Sequence, residues 1–142
     1  MGLLNWLGFG MGKLRIELST TVLQPGSYVE GTVTFKPKKP LHADKLVIRL
    51  QAVRRTTGKN RSWDTIFSAE QVLDGKKSYD VPQEYPFRIQ VPQELQVGHM
   101  LQTVIKIAQS FLGQRIYWYV EAQLVKPGID LRSRRYIKVK TF

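Results

Sequence analysis

The chain has 142 residues and no cysteine, and its 22 lysines and arginines against 11 aspartates and glutamates give a net charge of +11. That length fits one domain able to bury a sizeable core, and a hydrophobic share of 42% argues against global disorder. The absence of cysteine excludes disulfides and thiolate sites and agrees with a reducing, cytoplasmic setting, while the charge points either to anionic partners or to plain solubility.

The amino terminus, "MGLLNWLGFGMG", is apolar but short. A membrane span needs about 20 apolar residues, and Lys13 closes the run too early. No positive leader or small-residue cleavage site marks a secretory signal. Gly2 invites myristoylation, but Trp6 stands where Ser or Thr is required. Glycines 8, 10 and 12 imitate a dinucleotide loop with no strand in front of it. Residues 1–12 are therefore read as an apolar arm carrying Leu3, Leu4, Trp6 and Leu7, which either packs on the domain or docks elsewhere. The domain itself is expected over residues 13–142. The expected location is cytoplasmic, with a peripheral position at the membrane as the second possibility.

From Lys13 onward the dominant period is two. Leu14, Ile16 and Leu18 alternate with Arg15 and Glu17, so one face is apolar and the other charged. Gln24-Pro25-Gly26-Ser27 predicts a type II turn, because proline presets the second turn position and glycine accepts the positive φ of the third. Val29, Val33 and Phe35 then oppose Thr32 and Thr34. Leu46, Ile48, Leu50 and Ala52 alternate with Lys45, Arg49 and Gln51, predicting one face in the core and one in water. Residues 54–65 read as a basic loop or hairpin tip, followed by short strands near 63–67 and 70–73. Asp74-Gly75 marks a tight turn. Phe87, Ile89 and Val91 point inward before Pro92 ends their strand. In residues 115–124, Ile116, Trp118, Val120, Ala122 and Leu124 share one face, and Tyr117, Tyr119, Glu121 and Gln123 the other. Pro127-Gly128 turns the chain, and Ile137 and Val139 close it.

One stretch departs from period two. Leu101, Val104, Ile105, Ala108 and Leu112 fall on a helical stripe widened by Met100, Ile107 and Phe111, with Gly113 placed as a helix terminator. A helix over 100–112 is the expectation, against the β-branched content of residues 103–107, which favours a strand. Short strands at regular spacing plus one helix predict a single immunoglobulin-like antiparallel β-sandwich, mainly β, with one short amphipathic helix.

Chemistry is sparse. His42 and His99 are far apart, and a zinc site wants three or four converging ligands. Asp64, Glu70, Asp74, Asp80 and Glu84 are too scattered for a calcium loop. No nucleophile elbow, kinase motif or phosphate loop is present. No metal, no cofactor and no enzymatic activity is expected. The cations are better organised. Arg54, Arg55, Lys59 and Arg61 surround one loop, Arg132, Arg134, Arg135, Lys138 and Lys140 gather near the carboxyl terminus, and Lys36, Lys38 and Lys39 share a connection. Arginine suits bidentate phosphate recognition. The alternative is a solvated face.

Three phrases in order resemble arrestin-fold domains. "LQPGSYVEGTVTF" looks like their early hairpin, with Val29, Gly31 and Val33 in an apolar-x-Gly-x-apolar strand. "YPFRIQVPQEL" resembles their central strand through Phe87, Ile89, Val91 and Pro92. "RIYWYVEAQL" is similar to the next through Ile116, Trp118, Val120, Ala122 and Leu124. The resemblance spans residues 13–139 and is nearest to the bacterial sporulation-control arrestin-like proteins, whose short apolar amino terminus also runs straight into the first strand. It implies a non-enzymatic adaptor or regulatory scaffold that binds a protein partner. The second sandwich, interdomain polar core and releasing tail of signalling arrestins have no counterpart here, so receptor-type activation is not implied. The family's phosphate-sensing lysines of the first strand are matched only by Lys13 and Arg15, and no site is carried over. The alternative function is a basic module for anionic lipid or nucleic acid. Self-association is also expected, with Leu3, Leu4, Trp6 and Leu7 or Leu101, Val104, Ala108 and Phe111 at the contact.

Overall fold

A computed structural model of the chain describes residues 11–55, 63–97, 100–104 and 116–140. Alternating side chains and turn residues divide these into twelve strands: β1 (Gly12–Leu18), β2 (Val22–Leu23), β3 (Tyr28–Pro37), β4 (Leu41–Ala43), β5 (Lys45–Arg55), β6 (Trp63–Asp74), β7 (Lys77–Tyr79), β8 (Gln83–Gln90), β9 (Glu94–Val97), β10 (Met100–Thr103), β11 (Ile116–Lys126) and β12 (Ile129–Val139). A three-stranded sheet has the order β1-β3-β8, and a five-stranded sheet the order β2-β12-β11-β5-β6. Two small ribbons, β4–β7 and β9–β10, complete the set. Every pairing is antiparallel except β2 with β12.

The two larger sheets form a sandwich around one core. Ile16, Val29, Val33, Phe35, Phe87 and Ile89 come from the first sheet, and Leu46, Ile48, Leu50, Trp118, Val120 and Leu124 from the second. Each such side chain contributes about 1.5–3 kcal/mol by leaving water. Leu14, expected in the core, is only half-buried at its margin. The turns follow their residues. Gly26 has φ +85°, and the Ser27 N–H donates to the Gln24 carbonyl at 3.1 Å, as a type II turn requires. Lys126 pairs with Ile129 across Pro127-Gly128, where Gly128 has φ +76°.

The structure corrects three expectations. Residues 63–74 form one continuous strand, not two. Where β6 pairs with β5 the register shifts twice, near Ala52/Val53 and Leu46/Val47. An extra residue at a bulge inverts the alternation beyond it, so one strand reads as two. Second, Met100–Thr103 is a strand paired with β9 and not the first turn of a helix. Leu101 is 68% exposed while Val104 is buried, so the two do not share the single stripe that a helix would give them. The remainder of that segment, including Ala108 and Phe111, lies outside the described residues, as do Leu3, Leu4, Trp6 and Leu7 of the arm. Third, the outer face of β5 is not simply wet, because Val47 is fully buried there.

Candidate interaction surface

The outer face of the five-stranded sheet is where charged and aromatic side chains converge. The two-residue turn after Lys126 fixes how β11 meets β12, putting Glu121 opposite Arg134 and Tyr119 opposite Tyr136. On its other side β11 meets β5 with Glu121 opposite Arg49 and Tyr119 opposite Gln51. Glu121 therefore sits in the middle of a row of arginines. Its side chain is 4% exposed, with Arg134 Nη2 at 2.7 Å, Arg132 Nη1 at 3.2 Å and Arg49 Nη1 at 3.7 Å. Arg49 also reaches Glu70 at 3.0 Å and donates to Gln123 at 2.8 Å. Arg132 is held by Asp130 as well. The bond to Asp130 raises the Arg132 pKa above its ordinary value despite partial burial. Burial opposes the Arg134 charge, yet its bonds to Tyr136 and Glu121 outweigh that and raise its pKa. These are charge-assisted contacts closed upon one another, and their carboxylate is not offered to a substrate.

Toward the Arg55 end of β5 the same face turns aromatic. Trp63 meets Tyr117 edge-on with ring centres 5.4 Å apart, and Tyr119 meets Tyr136 at 5.6 Å. The Arg134 guanidinium lies over the Tyr119 ring at 4.0 Å. Tyr119 donates its hydroxyl to Gln51 at 2.6 Å, and burial raises its pKa so that it stays a donor. Trp63 and Tyr136 are each 58% exposed. The rings border a concavity of about 1040 Å³ whose described lining joins the outer-face cations Arg55, Arg134 and Lys138 to the inward-facing Leu95, Val104 and Trp118, with no carboxylate.

The structure separates the cations that the sequence grouped. Arg54 bonds Asp64 at 2.6 Å with its side chain 19% exposed, whereas Arg55, its neighbour, is exposed opposite Trp63. Lys59 and Arg61 lie outside the described residues. Arg132 and Arg134 are committed to Glu121, while Arg135 and Lys138 are exposed. Of the apolar candidates, Leu101 is exposed and Val104 buried. Of the acidic residues noted in the sequence, Asp64 pairs with Arg54, Glu70 with Arg49 and Lys45, and Asp74 with Lys77, Asp80 accepts from the Ser78 hydroxyl, and Glu84 is exposed. His42 is an exposed residue of β4. Among the described residues no group of three or more histidines and carboxylates is placed to hold a metal. No helix among them is long and apolar enough to cross a membrane.

From sequence alone Glu121 and Tyr119 are placed only on the outward face of their strand, and Tyr136 is not singled out. The missed signal was the two-residue turn. Counting outward from Lys126 and Ile129 brings Glu121 to Arg134 and Tyr119 to Tyr136.

No protein family profile matches the sequence, and no curated protein matches it. Among solved structures, Spo0M, a sporulation control protein from Bacillus subtilis, superposes with a TM-score of 0.68 at 20% identity, over 94% of this chain. The chain spans about half the length of that protein, 51%. The chain therefore shares the β-sandwich fold of that protein, the arrestin-like fold that the three sequence phrases implied. A β-glucosidase from Listeria innocua, in complexes with isofagomine and with gluconolactone, aligns with 90% of this chain and 16% of its own at 12% identity. Its TM-scores of 0.39 and 0.40 are too low to bear on this chain.

Proposed function

We propose that this chain is a non-enzymatic protein-interaction module of arrestin-like type, an adaptor or scaffold in a regulatory process. The observation that carries the reading is the fold shared with a sporulation control protein across 94% of the chain. The surface supports it. Asp64, Glu70 and Glu121 are tied to arginines in cross-strand pairs, and Asp74 is tied to Lys77 three residues on. What faces outward is a rigid sheet with exposed aromatic rings and cations, the composition of a docking surface. Binding to an anionic polymer draws less support, because Arg132 and Arg134 are already engaged by Glu121.

Affinity capture from extract of the native organism, with and without nuclease, tests the proposal. The expected result is a protein that survives nuclease and, once purified, forms a saturable complex of fixed stoichiometry with the chain. Retention that disappears with nuclease, or that purified partner fails to reproduce, would overturn it.

A further inference from the structure

We propose that the aromatic end of the outer sheet face is a docking cleft for an acidic, extended peptide segment of the partner. This rests on the protein-interaction reading and names the chemistry of what is bound. The argument starts from charge. Arg55 and Lys138 are exposed, border the same concavity and have no ion pair among the described residues. Arg134, the third cation of the lining, is engaged by Glu121. No carboxylate among the described lining residues answers the two free cations. An occupant that brings carboxylates is therefore favoured, and one that brings amines is repelled.

Shape narrows the class further. Arg55 lies on β5 and Lys138 on β12, with β11 between them. Two inter-strand spacings, with an offset of about two residues along the strands, separate their backbones by roughly 12 Å. In an extended peptide, residues i and i+4 lie on one face about 13 Å apart, and the residue midway points the same way. A carboxylate at each end would meet Arg55 and Lys138. The middle side chain would settle among Tyr117, Tyr136 and the aliphatic group of Val53. The expected pattern is acidic-x-apolar-x-acidic. The exposed faces of Trp63 and Tyr136 supply anchors of the kind that dominate binding energy. A nucleic-acid strand would find rings to stack on, but a phosphate at every nucleotide would meet only two free cations among the described lining residues.

The test uses the whole chain as bait for a phage-displayed random dodecapeptide library, with oligo(dT) titrated separately. Selected peptides should carry carboxylates around an apolar residue at period two. Their affinity should fall about tenfold or more for Arg55→Glu/Lys138→Glu and for Trp63→Ala/Tyr136→Ala. Arg55 and Lys138 are exposed charged groups, so the melt of their double variant should match the parent, and Trp63→Ala/Tyr136→Ala, which gives up ring contacts with Tyr117 and Tyr119, should still melt cooperatively above the assay temperature. Failure to select any peptide, peptides without excess carboxylate, or equal binding by the variants would overturn the proposal. Tight oligo(dT) binding abolished by the same substitutions would reassign the cleft to nucleic acid. A native partner that both variants still hold would leave the interaction function standing and place it elsewhere on the molecule.

Discussion

Glu121 is a buried carboxylate on the face of a sheet that ought to be wet, and its surroundings explain how it is tolerated. Three guanidinium groups lie within 3.7 Å, so its charge exchanges water for arginine. Replacing it by glutamine removes the anion the three share, leaving Arg49 only Glu70 and Arg132 only Asp130. Arg132 and Arg134 can turn to solvent, but Arg49 is only 21% exposed. Glu121→Gln should cost about 3 kcal/mol in urea unfolding, whereas Glu70→Gln, at a site 36% exposed, should stay within about 1 kcal/mol. Equal losses would mean that burial of Glu121 is not what makes the network matter. A second residue sets the acid limb. Burial pushes the Asp74 pKa up, but bonds from Lys77, Tyr85 and the Gly75 N–H outweigh it and leave the value below the ordinary 3.8. A carboxyl depressed in the folded state adds stability that is full above its unfolded value and is lost as pH falls through the folded one. Unfolding midpoints should therefore drop below pH 3.8, and Asp74→Asn should flatten that limb while lowering stability near neutrality.

At the scale of elements, the pairing of β1 with β3 requires glycine at position 31. A Cβ on Gly31 would stand 2.2 Å from the Glu17 carbonyl oxygen and 3.1 Å from the Phe87 ring. The first neighbour is backbone and cannot swing aside, so Gly31→Ala must part the strands or move the ring. The expected cost is about 1–3 kcal/mol. Gly75→Ala, with nothing within 4 Å, should change stability by no more than about 0.5 kcal/mol. Truncating Phe87 itself, or Trp118, each 5% exposed, should cost about 3–5 kcal/mol. A melt that ranks Gly75→Ala with Gly31→Ala would refute the close approach. Much of this level was legible beforehand. Alternation separated Ile16, Val33, Ile48, Ile89 and Val120 from their polar neighbours, and Val29-x-Gly31-x-Val33 stood out without its cause being visible. The failures have a physical origin. Bulges opposite Ala52 and Leu46 broke the phase of β6, and over four residues a strand at Met100–Thr103 samples too little chain for a period of two to be told from 3.6. The ion network escaped for another reason. Charge pairing across strands depends on register, which residue types alone do not state and only the Pro127-Gly128 turn encoded.

For the whole molecule, charge and exposed apolar surface act in opposite directions, and salt decides between them. A net charge of +11 on a 16.4 kDa chain repels a second copy. Meanwhile Trp63, Val72, Val81, Leu101 and Tyr136 are each more than half exposed, which favours contact between copies. The screening length falls from about 30 Å at 0.01 M salt to about 8 Å at 0.15 M. Repulsion should fade across that range while apolar contact strengthens slightly or stays level. Light scattering should therefore report a monomer at low salt and a rising dimer fraction as salt is added. An acidic peptide in the cleft should behave in the reverse sense, binding best at low salt, because attraction between opposite charges is screened by the same ions. The two salt dependences separate self-association from partner binding in one series of measurements. A monomer at every salt and protein concentration would mean that copies of this chain do not meet through the exposed rings.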